Sequence, residues 1–432
     1  LEIEDRGPIE KGKRMDFAFD TEQDLIRKTV REYAQKEIAP RVREIDVGRK
    51  IPVDIITGLA GLGLLGMTVS PEYGGAEADP VTAGVVAEEL ARADVSCAVP
   101  TFFLVQAAWG YILDRYGRQP AREAILPAVT RGRAFLGIAA TEPDVGSDLT
   151  AMKMVAVGND KGYLLSGEKM FISGISEITE QLPEGGGYVT LARTDPDRGA
   201  RGMGLFYVPL RGVPGIATTT FEDWGRRGIS AGGFTLEEVQ IPGGYLIGEE
   251  NRGFHLAMEG FDYARALISV VCAGAAMSAL EQAMKHVRER KVFGQPVGRF
   301  EGVQFKLAEH WTRLEALRLL GYRALWSCGR EQADRSTARS GNRSGGGSGD
   351  HRENRFEVSR WCAQAKLLGA QIAFDAINDA IQWHGAFGYT VDCPLELALK
   401  GVRSYWWAEG ALEIMKVIVA RELLGKEFVA YR

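Results

Sequence analysis

Apolar residues recur at helical spacing from Thr21 to about Arg133: Leu25, Ile26, Val30, Tyr33, Ala34 and Ile38, then Val53–Leu65, then Val81–Tyr116. Gly and Pro gather between these runs, at Pro40, Pro71–Gly75 and Pro80, where helices should stop. The pattern predicts an all-helical domain over 17–133. From Ala134 to about Gly248 it shortens to alternating or β-branched runs: Phe135–Ala140, Met152–Val157, Tyr163–Ser166, Met170–Ser173, Tyr188–Ala192, Gly204–Val208, Ile216–Thr220 and Phe234–Ile241. Turn clusters such as Asn159-Asp-Lys-Gly162 separate them, which predicts a β domain over 134–250, a barrel or sandwich. Helical spacing then returns, with long segments at Phe261–Arg290, Gly302–Ser327, Phe356–His384, Pro394–Trp407 and Ala411–Leu424, predicting a third, helical domain over 251–432. The whole reads as α+β: two helical domains flank a β domain, and a ligand is expected in the crevice where they meet.

Residues 329–355 have almost no apolar content and a Gly-Ser core, so they read as a mobile surface linker between two helices. Otherwise the chain of 432 residues, 45% hydrophobic and 25% charged, has an ordinary globular composition and more length than one core usually organises. A net charge of −5 argues against a nucleic-acid partner. The five cysteines are scattered, without a C-x-x-C pair, which fits a reducing compartment and a cytoplasmic location. The five histidines show no H-E-x-x-H spacing, so no metal site is expected. The apolar run Ala266–Leu280 is short for a membrane span and rich in small residues, which suits a closely packed helix. The residues before Met15 mix acids with bases, unlike a secretory signal or an acid-poor transit peptide.

Gly61-Leu-Gly-Leu-Leu-Gly66 satisfies the G-x-G-x-x-G pattern of dinucleotide sites. It ends a helical stretch rather than following a strand, so close packing at a helix C-terminus is the better reading.

Four other windows carry candidate chemistry. Thr141-Glu-Pro-Asp-Val-Gly-Ser-Asp148 is a turn after a strand, offering N–H groups and the hydroxyls of Thr141 and Ser147 to a polar ligand. Gly167-Glu-Lys-Met-Phe-Ile-Ser173 ends in an aromatic and a hydroxyl, suited to lying against a flat heterocycle. Arg288-Glu-Arg-Lys-Val-Phe-Gly294 closes a long helix with cations and a Phe able to pair with a diphosphate and stack on a base. Glu409 stands beside Gly410 at a helix break, between Trp406-Trp407 and the apolar run Ile414–Ala420. Desolvation there would raise its pKa above the roughly 4.3 of a free Glu and make it a base for a weak carbon acid. A surface Glu favouring a helix start is the alternative.

In this order, from about Phe17 to Leu424 apart from 329–355, these windows resemble the acyl-CoA dehydrogenase family of flavoproteins. The matching pieces are the T-E-P-x-x-G-S-D turn, K-M-F-I-S, R-K-x-F-G-x-P, Q-x-x-G-x-x-G at Gln382–Gly388, and Glu409-Gly410. The resemblance implies an N-terminal helical domain, a middle β domain, a C-terminal four-helix domain and bound FAD. It implies that Thr141, Phe171 and Ser173 face the flavin, and that Ser147, Asp262, Arg265 and Gly410 contact the CoA thioester. Arg290 and Phe293, with Gln382 and Gly385, would hold the adenine-diphosphate end of FAD in a neighbouring subunit, which implies an oligomer, usually a tetramer. Glu409 falls on the family's catalytic base. Some members place that base one residue before the position of Arg265, but Ala264 stands there and cannot take a proton. The chain departs from the family at Glu301, at Ala386, and at Glu409-Gly-Ala-Leu-Glu413 where many members carry E-G-T-x-Q.

The implied activity is α,β-dehydrogenation of an acyl-CoA to the 2-enoyl-CoA, with electrons passed to an electron-transferring flavoprotein. A flavin-dependent oxidase or monooxygenase on the same fold, or a non-catalytic scaffold member, is the alternative.

Overall fold

The computed structural model describes residues 17–339 and 351–428. The segment before Met15 and the Gly-Ser core of the expected linker lie outside the described residues. The first layer comprises α1 (Thr21–Tyr33), α2 (Val42–Gly48), α3 (Val53–Gly61), α4 (Pro80–Ala93), α5 (Ala98–Tyr116) and α6 (Gln119–Thr130). Asp20 opens α1 with a capping box: its carboxylate accepts the Gln23 N–H at 2.8 Å while the Gln23 side chain accepts the Asp20 N–H. The helical pattern read through Val81–Tyr116 is in fact two helices. Buried Asp94 breaks it by accepting the N–H groups of Ser96 (3.0 Å) and Val99 (2.7 Å), so its carboxylate starts α5. Val95 and Cys97 in the break are also buried, and so the apolar pattern runs on across it. The G-x-G-x-x-G stretch closes α3 and turns at Gly63 with φ of 73°, a helix end as expected.

The β region contains β1 (Ala134–Ala139), β2 (Val155–Asn159), β3 (Gly162–Ser173), β4 (Gly185–Arg193), β5 (Met203–Pro209), β6 (Ile216–Phe221), β7 (Ala231–Pro242) and β8 (Leu246–Ile247). They form one hydrogen-bonded path, β6-β7-β3-β2-β4-β5-β8, with β1 also on β4. The path narrows to a single residue pair, Val155 with Arg193, where β2 meets β4. About that point it divides into two leaves. Tyr188 of β4 packs on Phe234 of β7 (ring centroids 5.6 Å apart) and Tyr163 of β3 on Phe206 of β5 (4.9 Å), which fills the space between the leaves in the manner of a sandwich. Two short strands were expected where β3 runs unbroken. Irregularities at Leu165/Gly167 and Met170/Ile172 reset its alternation, so one strand carries the pattern of two.

The chain continues through α7 (Gly253–Glu289), a hairpin of β9 (Lys291–Val292) and β10 (Gln295–Pro296), α8 (Glu301–Arg339), α9 (His351–Trp383), α10 (Leu395–Ser404) and α11 (Leu412–Leu424). α7 packs on α4 and α5 of the first layer and on α8 and α9. It is apolar and long enough to cross a membrane, but 94% of that window is buried, which makes it the core helix of the fold. The expected linker over 329–355 is shorter than its composition implied. Strong helix formers such as Arg330, Glu331, Gln332 and Ala333 carry α8 past its last apolar turn to Arg339, and α9 begins at His351.

Candidate active site

Where the β region, α5, α7 and the α10–α11 turn meet, a cavity of about 1040 Å³ opens, lined on one side by Thr141, Phe171 and Ser173 and on the other by Tyr405 and Ala408–Ala411. That volume stands at the top of the roughly 300–1,000 Å³ usual for ligand pockets. The sheet wall is set by a buried ion pair. Glu142 accepts from the main-chain N–H groups of Lys153 (2.7 Å) and Met154 (2.9 Å) and from Lys169 Nζ (3.0 Å). Lys169 also donates to the Ala140 carbonyl at 3.0 Å, and its burial brings its pKa down to about 8. One carboxylate thereby anchors the 141–148 turn to β3, leaving Ser147 exposed and Thr141 half-buried at the cavity. Two residues further along β3, Phe171 takes a left-handed φ of 59° and holds its ring 66% exposed, against Phe221 at 5.5 Å. A flat apolar face beside the Ser173 hydroxyl is the result.

Glu409 lies in the turn after α10, with φ of 58°, followed by Gly410 at 104°. A left-handed Glu costs on the order of 1 kcal/mol and persists only where its surroundings over-determine it. Two cations do so. Arg265 of α7 donates from Nε to the Glu409 carbonyl at 2.8 Å and from Nη1 to Asp262 at 2.8 Å, and Lys366 of α9 donates from Nζ to the Gly410 carbonyl. A Cβ at Gly410 would lie 3.0 Å from Met415 Cε and 3.4 Å from Arg265 Nη2, so close approach as well as positive φ favours glycine there.

The Glu409 side chain has no such hold. Its Oε2 is shut from solvent without a hydrogen-bond partner, although the residue keeps partial exposure by lining the cavity. Burial pushes its pKa up to about 7 against the opposing fields of Arg265, Lys366 and Arg226. An unpaired buried carboxylate half-ionised near neutral pH can accept a proton from a ligand in the cavity.

The structure gathers Glu409, Gly410, Asp262, Arg265, Thr141, Ser147, Phe171 and Ser173 around this one cavity. Arg290, Phe293, Gln382 and Gly385 lie at the far end of the helical bundle. There His286 of α7 stacks on His384 at 4.4 Å, which brings the ends of α7 and α9 together, and Phe293 projects 96% exposed. Of the bulky residues before Glu409, Tyr405 and Trp407 line the cavity, whereas Trp406 packs on Phe374 in the bundle. The sequence reading missed Lys366, Arg226 and the Glu142–Lys169 pair. A lone Lys in the apolar run Cys362–Ala370 was the available signal for the first, and the doublet Arg226-Arg227 between glycines for the second.

Models of the acyl-CoA dehydrogenase N-terminal, middle and C-terminal domains match residues 20–133, 137–239 and 251–424. Cyclohexane-1-carbonyl-CoA dehydrogenase of Geobacter metallireducens is 32% identical over 411 residues, 94% of this chain and 99% of that protein. The chain belongs to the acyl-CoA dehydrogenase family. A second relative, 3-(aryl)acrylate reductase of Clostridium sporogenes, is 31% identical and covers 94% of this chain and 100% of its own. The structure of glutaryl-coenzyme A dehydrogenase in its glutaryl-CoA complex superposes with a TM-score of 0.82 at 26% identity, over 95% of this chain and 97% of the other. Enzymes of the family are FAD-dependent oxidoreductases, so the cofactor and the three-part fold that the sequence resemblance implied both stand. The cavity fits that cofactor: it offers an apolar face at Phe171, hydroxyls at Ser173 and Thr141, and the unpaired Glu409 among the residues opposite.

Proposed function

We propose that this acyl-CoA dehydrogenase oxidises an acyl-CoA thioester across its α and β carbons, with Glu409 as the base. The observation that carries the reading is Glu409 lining the cavity across from the wall that suits a flavin, with its Oε2 shielded from solvent and unpartnered. Thr141, Phe171 and Ser173 hold the flavin ring, while Arg290, Phe293, Gln382 and Gly385 of a neighbouring copy hold its adenine end, in a homotetramer. FAD, when bound, supplies the two-electron acceptor for the β-hydride. Everything else falls to this chain. Glu409 takes the α-proton as the α,β double bond forms, and its protonated carboxyl later returns that proton to solvent. Its main-chain N–H has no backbone partner among the described residues, which leaves it available to the thioester oxygen as negative charge develops there. One such donor in a dry site is worth about 3 kcal/mol. Asp262, Arg265, Gly410 and Ser147 orient the CoA arm. The electrons leave to an electron-transferring flavoprotein, and the potential of that partner sets whether the net reaction runs as dehydrogenation or as enoyl reduction.

Anaerobic mixing with a panel of acyl-CoA thioesters tests the reading. At least one should bleach the flavin absorbance stoichiometrically, and Glu409→Gln should keep FAD and bind the ester yet lose turnover by about 10⁴-fold or more. Substantial activity in Glu409→Gln, or rapid turnover with oxygen alone, would overturn it.

A further inference from the structure

Arg226 stands in the loop between β6 and β7 with φ of 58°, a left-handed conformation that costs a non-glycine residue on the order of 1 kcal/mol. That backbone places its guanidinium in the wall of the Glu409 cavity. Its nearest polar contact is the Ser173 hydroxyl at 3.4 Å from Nη2, its Nε is buried without a partner, and it lies 6.0 Å from the centre of the Tyr405 ring. Among the described residues no carboxylate comes within 4 Å of it; Asp223 and Glu409 feel its field from farther away.

Most other cations of the cavity are held by a partner. Arg265 is held by Asp262 and the Glu409 carbonyl, Arg355 by the His255 carbonyl, Lys400 by Glu396 and Arg421 by Glu422. Arg403 packs over the rings of Trp406 and Trp407, although its Nη1, like the Arg226 Nε, is buried without a partner. Arg226 also sits at the inner end: its field reaches fully buried Cys97 and Tyr405, whose hydroxyl meets Thr101 of α5 at 2.7 Å. A half-buried guanidinium without a carboxylate in contact with it gains from a ligand that supplies one.

We propose that Arg226 is an anion subsite of the acyl pocket, and that the preferred substrate is a short acyl-CoA carrying a carboxylate at the end distal to the thioester. This rests on the dehydrogenase reading and narrows it. The distal carboxylate supplies the missing counter-charge, and Thr101 and Tyr405 give its surroundings hydroxyls in place of a wholly apolar tail pocket.

The test compares glutaryl-CoA with valeryl-CoA, thioesters of the same carbon number with and without the terminal carboxylate. Binding is titrated on FAD-loaded Glu409→Gln, and kcat/KM is measured on the wild type. Both should favour glutaryl-CoA by about 10–100-fold, the effect of one charge-assisted contact. Arg226→Met should collapse that ratio towards unity and Arg226→Lys should restore part of it. Equal affinity of the wild type for both esters would overturn the subsite. So would an Arg226→Met enzyme that keeps the ratio but shows a shifted flavin reduction potential, since the cation would then serve the cofactor. Binding does not require turnover, so thioesters that bind without ever bleaching the flavin would sink the dehydrogenase reading, while the affinity ratio still decides the subsite.

Discussion

Arg265 grips the main-chain carbonyl of Glu409 at 2.8 Å and makes no hydrogen bond to its carboxylate. A direct guanidinium–carboxylate pair would hold the side chain equally well, but it would also depress the pKa and occupy an oxygen that the proposed base needs free. Anchoring the backbone fixes where the Glu409 side chain stands without a contact to its carboxylate, so burial outweighs the field of the cation in setting when it ionises. Lys366 acts in the same way one carbonyl later.

Because Arg265 uses Nε for Glu409 and Nη1 for Asp262, a single ammonium cannot replace both bonds. Arg265→Lys should lower kcat by about 10–100-fold through misplacement of the turn. It keeps the positive charge, so the acid limb of its pH–rate profile should stay near that of the wild type. Arg265→Met should lower kcat and move the limb to higher pH. Steady-state profiles of the two variants side by side check this.

Burial raises the carboxyl of Glu409 to about 7, and in the proposed mechanism it acts only when ionised. With a thioester that is not itself titrated, kcat/KM should rise with pH through about 7 and level off above it. Lys366, whose own pKa burial brings down to about 7, opposes the rise while it is protonated, so Lys366→Met should shift the limb further up, whereas Lys366→Arg, charged throughout, should bring it to the wild-type position or lower. A purely structural lysine would lower stability in Lys366→Met without moving the limb.

Glu409 could be read from the sequence because a Glu-Gly pair at a helix break between apolar runs is a local signal, and burial needs only local hydrophobicity. Arg265 and Lys366 could not be read as its anchors, since the contacts cross from α7 and α9 to main-chain carbonyls whose direction depends on two left-handed residues. The α5 start at Asp94 and the bulges of β3 were hidden for another reason. In both places burial continues through the irregularity, so hydrophobic spacing keeps its period while the hydrogen bonds do not. The three-part alternation of helical and strand periodicity survived because it is averaged over many residues.

The Glu142–Lys169 pair predicts an asymmetry. Removing one partner of a buried pair costs about 3–5 kcal/mol. Lys169→Met leaves Glu142 with two main-chain donors, whereas Glu142→Gln leaves Lys169 without a counter-charge, held by the Ala140 carbonyl and the amide oxygen alone. Glu142→Gln should therefore lower the thermal midpoint more than Lys169→Met does. Both should weaken FAD retention, because the 141–148 turn loses its anchor; calorimetry and flavin content after gel filtration measure the two effects.

Phe293 exposes nearly its whole side chain beside Arg290, at the bundle end where His286 meets His384. If a second copy covers that end and completes the adenine site, Phe293→Asp should dissociate the assembly and release FAD together. Light scattering and the flavin absorbance of the same fractions check it; an intact tetramer with full FAD would remove these residues from the cofactor site.

A base held near neutrality should also be visible in stability. The carboxyl of Glu409 has a folded-state pKa of about 7, above the ordinary 4.5, so the unfolded chain releases this proton more readily. Its contribution to stability is fully present below about 4.5, falls as pH rises towards 7, and is lost above that. Glu409→Gln does not titrate. The thermal midpoint of the variant should match the wild type near pH 4.5 and exceed it progressively up to pH 7 to 8, with a difference on the order of 2 kcal/mol. A variant that is less stable than the wild type at pH 8 would mean that the carboxylate is paired in solution, and the same result would remove the basis for its role as the base.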